Sequence, residues 1–98
     1  MLVANQIHDT IGKVGSDLGM ASCPHIESII SPKAKGEINA EILESILRQS
    51  WNRRNTITIM VRDNGNGEVQ LSVSVQGSQI LHYTEIIRKG CLGDQAKA

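Results

Sequence analysis

The side chains best suited to proton transfer or nucleophilic attack in this sequence are three histidines and two cysteines. His8, His25 and His82 could exchange protons near neutral pH, since an unperturbed imidazole has a pKa of about 6.5. None of them stands in a sequence pattern with a serine, aspartate or cysteine that would complete a nucleophile and its base. The sequence therefore predicts a protein that is not an enzyme.

Metal binding would have to start from Cys23 and His25, which are close enough in sequence to share an ion. Structural zinc sites use about four such ligands, and no further ones accompany this pair. Cys23 and Cys91 also fit no disulfide framework. We therefore predict no metal and no cofactor. Free thiols, together with the lack of a secretory or membrane-spanning segment, favour a cytoplasmic protein.

Nucleic-acid binding is the chemistry suggested by Trp51, Arg53 and Arg54. An aromatic ring can stack on a base while guanidinium groups pair with phosphates. The same residues also have a structural explanation, which we favour. Trp51 continues the apolar stripe of a helix, and the two arginines follow the negative end of that helix.

A glycine-rich stretch, Gly12-Lys13-Val14-Gly15, lies near the start of the chain. Over residues 10–18 it resembles the loop by which KH domains bind a nucleic-acid backbone. The resemblance implies that Gly12, Lys13 and Gly15 contact phosphates, because small residues let phosphates approach backbone amides. With Arg53 and Arg54, this stretch defines an alternative function, that of a nucleic-acid-associated regulator.

The elements that must position these residues centre on 37–76. Residues 37–51 predict an amphipathic helix with one apolar stripe, formed by Ile38, Ile42, Leu43, Ile46, Leu47 and Trp51. Apolar and polar residues then alternate on both sides of 64–67, which predicts a β-hairpin with its odd-numbered side chains toward the helix. Because both strands must bury the same face, the connecting loop must hold an odd number of residues, three or five.

The N-terminal region predicts a first helix over residues 3–18. Val3, Ile7, Ile11, Val14 and Leu18 recur at helical spacing and form a narrow apolar stripe. Each glycine inside a helix costs about 1 kcal/mol relative to alanine. We therefore expect this helix to be weak or interrupted near Gly12 and to end around Gly19, unless the glycines allow a close approach to another helix. Residues 24–30 fit either a short helix or a strand.

A third strand is predicted from Gln79 to about Arg88, joined to the hairpin by a two-residue turn at Gly77-Ser78. That turn places the even-numbered side chains of the strand toward the core: Ile80, His82, Thr84 and Ile86. The opposite face then carries an apolar strip, Leu81, Tyr83 and Ile87. Such a strip is either a protein-binding surface or a face that the first helix covers.

Length and charge complete the prediction. The chain has 98 residues and a formal net charge of zero, from ten basic and ten acidic side chains. Such a balance does not indicate a nucleic-acid binder, and it permits self-association. We predict one α+β domain over residues 1–90 and a flexible tail over 91–98. The domain packs an N-terminal helical region and one main amphipathic helix on a three-stranded antiparallel meander.

The predicted function follows from the missing catalytic set, the neutral charge and the apolar strip. We expect a small cytoplasmic binding module, regulatory or adaptor-like, that acts through protein–protein contacts. Its partner would be a second copy, forming a homodimer, or a larger protein. No membrane association is predicted.

Overall fold

A computed structural model describes residues 1–88 of the chain, and the predicted tail at 91–98 lies outside the described residues. Two helices and four strands follow one another with a short 3₁₀ turn at Met20–Ser22. The helices are α1 and α2, at Val3–Leu18 and Ala40–Gln49; the strands are β1 to β4, at His25–Ile30, Thr56–Asp63, Glu68–Gln76 and Leu81–Arg88. The predicted α+β class is confirmed.

The sheet has four strands in the order β1-β2-β3-β4, one more than the predicted meander. The additional strand is β1, so the segment that fitted either a helix or a strand is a strand. β1 runs parallel to β2, with Ile26 paired to Ile57, whereas the other two strand pairs are antiparallel. A parallel pair requires a long connection between its strands, and α2 lies in that connection.

Helix α1 runs without interruption from Val3 to Leu18, so the predicted break near Gly12 is wrong. The alternative, that a glycine allows a close approach between helices, applies to Gly15, which is buried against the ring of Trp51. The predicted end near Gly19 is confirmed. Gly19 has a positive φ of 92°, and its carbonyl accepts a hydrogen bond from the Trp51 indole N–H at 2.9 Å.

Helix α2 is shorter than predicted, because its first turn begins at Ala40 rather than near residue 37. The side chain of Asn39 caps it, accepting a hydrogen bond from the Ile42 N–H at 3.2 Å. The apolar stripe extends beyond both ends of the helix, since Ile38 and Trp51 are buried as well. The stripe therefore faces the sheet as the periodicity predicts.

The β2–β3 hairpin has the predicted faces. Its odd-numbered apolar residues are all buried: Ile57, Ile59, Val61, Val69, Leu71, Val73 and Val75. Asp63 pairs with Val69, so the paired residues sum to an even number and five residues, 64–68, separate them. The parity prediction is confirmed. These side chains join those of α1 and α2 in one core on a single face of the sheet.

The predicted faces of the last strand are wrong. Val75 pairs with Leu81 rather than with Ile80, so five residues, 76–80, separate this pair, whereas the predicted two-residue turn leaves four, 76–79. Shifting the register by one residue exchanges the faces of the whole strand. Leu81, Tyr83 and Ile87 therefore lie on the helix side of the sheet, and the outer side carries His82, Thr84 and Ile86.

The longer connection is held by a buried side chain from another part of the chain. Asn55 Oδ1 accepts hydrogen bonds from the Ser78 backbone N–H at 2.9 Å and from the Ser78 hydroxyl at 3.0 Å. Gly77, with φ of 143°, packs so closely on Arg54 and Asn55 that a Cβ would not fit. The turn therefore extends over Asn55 before β4 begins.

Candidate interaction site at the β4 edge

Two strands, β1 and β4, form the edges of the described sheet. Edge strands expose unpaired backbone groups, and natural proteins discourage further pairing there with prolines and lysines. β1 has a proline close to each end, Pro24 and Pro32. β4, LHYTEIIR, contains neither proline nor lysine and has no proline near either end, although Lys89 follows it in the sequence. Of the two edges, β4 is therefore the one that no proline protects.

The side chains of β4 differ between its two faces. On the helix side, Ile87 is buried, while Leu81 and Tyr83 are only half-buried although they pack against the core. On the outer side, Ile86 is 47% exposed and Thr84 is also exposed. Apolar surface thus remains at this edge on both faces of the sheet.

Glu85 is the only acidic or basic residue among 81–87 apart from His82, and it bonds within the chain. Its Oε2 accepts the Asn39 backbone N–H at 2.9 Å, and its Oε1 accepts the Tyr83 hydroxyl at 3.1 Å. Because Asn39 caps α2, the carboxylate lies at the positive end of that helix. Burial raises the pKa of the Tyr83 hydroxyl, and the neighbouring Glu85 raises it further.

His82, predicted to face the core, lies exposed on the outer face instead. Its Nδ1 is 3.0 Å from the Ser74 hydroxyl, and its Nε2 is 3.2 Å from the Thr84 hydroxyl. The imidazole therefore bridges β3 and β4 across a polar surface. Its two ring nitrogens thus contact hydroxyl groups, and it forms no ion pair with a carboxylate within the described part of the chain.

The glycine-rich stretch does not form the predicted phosphate-binding loop. Gly12, Lys13 and Gly15 all lie within α1, where backbone amides bond to carbonyls one turn earlier. Such amides cannot surround a phosphate. The Lys13 ammonium instead bonds to the Glu44 carboxylate on α2 at 3.2 Å. The stretch therefore resembles the KH loop in sequence but not in structure.

Lys13 belongs to a charged cluster that joins the two helices. Glu44 accepts hydrogen bonds from Lys13 and also from the Arg48 Nε at 2.9 Å. The Arg48 guanidinium reaches Asp17 on α1 as well. The hydrogen bond from Arg48 and then that from Lys13 lower the pKa of the Glu44 carboxyl below its ordinary value of 4.5.

Replacing Glu44 with glutamine should destabilise the fold slightly at neutral pH and not at acidic pH. The folded-state pKa of Glu44 is lowered, so its contribution is present above its unfolded-state pKa and is lost as pH falls through the folded value. Thermal melts of both proteins from pH 7 to pH 3 should therefore converge below about pH 4.5. Glu41→Gln, on the same helix without an ion pair among residues 1–88, is the control. An equal loss at all pH values would contradict the prediction.

Arg53 and Arg54 are exposed in the turn after α2. They line a shallow depression of about 460 Å³ with Ser22 and Asn52, beside Trp51. Trp51 is only 8% exposed, and its N–H is bonded to Gly19. The indole ring is therefore used in packing the two helices, and a stacking role for it is not supported. Lys13 does not line this depression with the two arginines, and its ammonium bonds to Glu44.

The outer face of the sheet carries a depression of about 480 Å³ where β1 ends beside β2. Its apolar lining residues include Ile29 and Met60, and its polar ones include Arg62 and Gln70. Ile29 is 62% exposed. The rest of this face is mostly polar, as expected of a sheet surface in contact with water. We assign no ligand to this depression.

Cys23 and His25 do not form a site in the structure. The Cys23 thiol donates to the Pro24 carbonyl at 3.3 Å, while the His25 imidazole lies 3.4 Å from the Glu27 carboxylate. Within residues 1–88, no group of three or more histidine, cysteine or acidic side chains could hold a metal ion.

Comparison with known proteins adds no relationship. No family model matches the chain, and no curated protein matches its sequence. Within residues 1–88, no helix is long and apolar enough to cross a membrane.

Proposed function

We propose that the protein is a small non-catalytic binding module that acts through protein–protein contacts and associates with itself through the edge of β4. Strand addition at a sheet edge is a common recognition mode, in which backbone hydrogen bonds supply affinity and alternating side chains supply specificity. A regulatory or adaptor-like role would follow from such an association.

The observation that supports this proposal most directly is the combination of features on β4. The strand lies at the edge of the described sheet, and its residues 81–87 contain no proline and no lysine. The Glu85 carboxylate is engaged by Asn39 and Tyr83, so it does not act as a free charge at the edge. Leu81 and Tyr83 keep exposed apolar area that a partner would cover.

Charge and contact area determine the expected strength. The zero net charge removes long-range repulsion between copies. Strand pairing at one edge buries less area than the roughly 1,600 Å² of a standard stable interface. Self-association should therefore be weak and dependent on protein concentration.

Thr84→Lys tests the proposal, because lysine on an edge strand disfavours pairing. Thr84 is exposed in the middle of β4, so the substitution should leave the fold intact. In sedimentation-equilibrium measurements the parent should show a mass that rises with concentration. The variant should associate about tenfold more weakly or not at all, since the substitution puts a charge on the edge strand of each copy.

Ser72→Lys is the matched control, because Ser72 pairs with Thr84 on the same face but belongs to the interior strand β3. It adds the same charge without altering the edge, so its association should equal that of the parent. A parent that stays monomeric at all concentrations, or equal losses in the two variants, would contradict the proposal.

The alternative, a nucleic-acid-associated regulator, now has less support. Its glycine-rich stretch is helical and Lys13 is paired, which leaves Arg53 and Arg54. A gel shift with mixed single- and double-stranded nucleic acids tests it. Binding that weakens in the double variant Arg53→Ala/Arg54→Ala would favour this alternative.

A further inference from the structure

We infer that the partner at the β4 edge is a second copy of this chain, paired antiparallel so that Thr84 of one copy lies directly opposite Thr84 of the other. This inference rests on the proposed function and adds its geometry. A two-fold axis passes between the two threonines, and the two four-stranded sheets become one continuous sheet.

The first argument is the side-chain parity of the strand. In an antiparallel pair, directly opposite residues point to the same face of the sheet. The helix-side residues of β4 carry odd numbers, so they pair with one another when the numbers of two opposite residues add up to an even number. In such a register Leu81 and Tyr83 meet apolar neighbours. An odd sum would place them beside His82 and Thr84, which are exposed and polar. Even registers therefore bury more apolar surface.

The second argument selects among the even registers. Pairing Thr84 with itself puts Leu81 opposite Ile87 and uses all residues from 81 to 87. Pairing Glu85 with itself would place two carboxylates directly opposite each other, which is unfavourable. Pairing Tyr83 with itself would place Leu81 opposite Glu85 and would use only residues 81–85. Of these three registers, only the one centred on Thr84 both pairs all residues from 81 to 87 and avoids placing two carboxylates opposite each other.

The third argument concerns Tyr83 and Glu85. Within one copy, the Tyr83 hydroxyl donates to Glu85 two residues along the same strand, at 3.1 Å. Two such residues are separated by about 6.6 Å along a strand, whereas Cβ atoms directly opposite in a pair are about 5 Å apart. The Thr84-centred register places each Tyr83 opposite a Glu85. Each Tyr83 hydroxyl can then donate its hydrogen bond to Glu85 of the other copy instead of its own. Each Glu85 carboxylate keeps its hydrogen bond from the Asn39 N–H.

Disulfide formation at Thr84→Cys tests this register, with Cys23 and Cys91 replaced by serine. Opposite residues in an antiparallel pair have Cα atoms about 4.5 to 5.5 Å apart, within the span of a disulfide. Under mild oxidation at concentrations where the parent is dimeric, a covalent dimer should form on a non-reducing gel. Thermal melting before oxidation checks that the variant is folded.

Ser72→Cys is again the control. In the inferred dimer its two copies lie three strand spacings apart, about 14 Å, which is beyond the reach of a disulfide. Thr84→Cys should therefore cross-link at least about tenfold faster than Ser72→Cys. Shifted registers would instead favour cross-linking at His82→Cys or Ile86→Cys, because each of these would then lie on the two-fold axis.

The outcomes separate this inference from the proposed function. Rapid cross-linking at Thr84→Cys, together with a concentration-dependent mass of the parent, supports both. A dimeric parent whose Thr84→Cys variant reacts no faster than Ser72→Cys, or slower than His82→Cys or Ile86→Cys, overturns the register and leaves self-association standing. A parent that is monomeric in sedimentation overturns both.

Discussion

Replacing Ile46 with alanine is expected to lower the free energy of unfolding by roughly 2 to 5 kcal/mol, the range for removing a large aliphatic side chain from a core. Ile46 is 6% exposed, in the middle of the α2 stripe, where it belongs to the single core cluster. The loss is a large share of the stability of a small domain. Denaturant unfolding should show a lower midpoint with an unchanged dependence on denaturant concentration.

Ser45→Ala provides the comparison, because Ser45 is the preceding residue of the same helix and is exposed. Its hydroxyl accepts only a 3.3 Å hydrogen bond from Gln49, so its replacement should change stability by less than about 0.5 kcal/mol. A loss below about 0.5 kcal/mol for Ile46→Ala would mean that the stripe is not the core side of α2.

The core could be predicted because it depends on local periodicity. The spacing of Leu43, Ile46 and Leu47 specifies one face of a helix, and the alternation in β2 and β3 specifies one face of a hairpin. These patterns are repeated over many residues, so a single error does not change the outcome. The structure buries both sets together.

The faces of β4 could not be predicted, because they depend on one loop whose length is set elsewhere in the chain. Gly77-Ser78 is a favourable two-residue turn by local preference. The observed connection extends to Ile80, since Ser78 is bonded to Asn55, which is 23 positions away in the sequence. A side chain this distant leaves no signal near the turn, and a change of one residue in register reverses every side chain.

The structure changes the geometry of the predicted protein-binding strip. Leu81, Tyr83 and Ile87 lie on the opposite face of β4 from the predicted one, so the proposed contact moves from the face of the strand to its edge. The role of Glu85 was missed. Its bonds to Asn39 and Tyr83 require the observed register, which puts it on the helix side above the start of α2. Whether these residues bind a partner stays a prediction.

β1 and the glycine-rich stretch show two further limits. β1 is short and pairs parallel with β2, so its partner lies about 30 residues away and local periodicity does not identify it. In α1, the cost of glycine predicts a break, but Gly15 lies where the Trp51 ring packs closely. Tertiary packing therefore stabilises a helix that its own sequence would weaken.

Asn55→Asp is expected to be strongly destabilising at neutral pH. Asn55 is 2% exposed, and its Nδ2 donates to the Ser50 carbonyl at 3.0 Å while Oδ1 accepts two bonds from Ser78. Ionised aspartate keeps the acceptor and loses the donor, so a buried carboxylate oxygen would face the Ser50 carbonyl oxygen. Leaving buried polar groups unsatisfied costs about 1 to 3 kcal/mol each, and more for a charge. We expect a loss of at least about 3 kcal/mol in denaturant unfolding at pH 7.

The pH dependence distinguishes this mechanism from a simple packing defect. Protonated aspartate regains an O–H donor, so the folded-state pKa of the new carboxyl should lie above its unfolded value of about 3.9. A raised pKa stabilises the fold below the unfolded value, and that stability is lost as pH rises through the folded one. Measured against the parent at each pH, the deficit of Asn55→Asp should therefore shrink between pH 7 and pH 3.5.

Asn52→Asp supplies the control. Asn52 is exposed, and its Oδ1 accepts the Arg54 backbone N–H at 2.8 Å, a bond that a carboxylate makes equally well. This change should alter stability by less than about 0.5 kcal/mol at any of these pH values. A deficit for Asn55→Asp that is equally small, or that does not change with pH, would show that the hydrogen bonds of Asn55 do not hold the β3–β4 turn. The register of β4 would then need another cause.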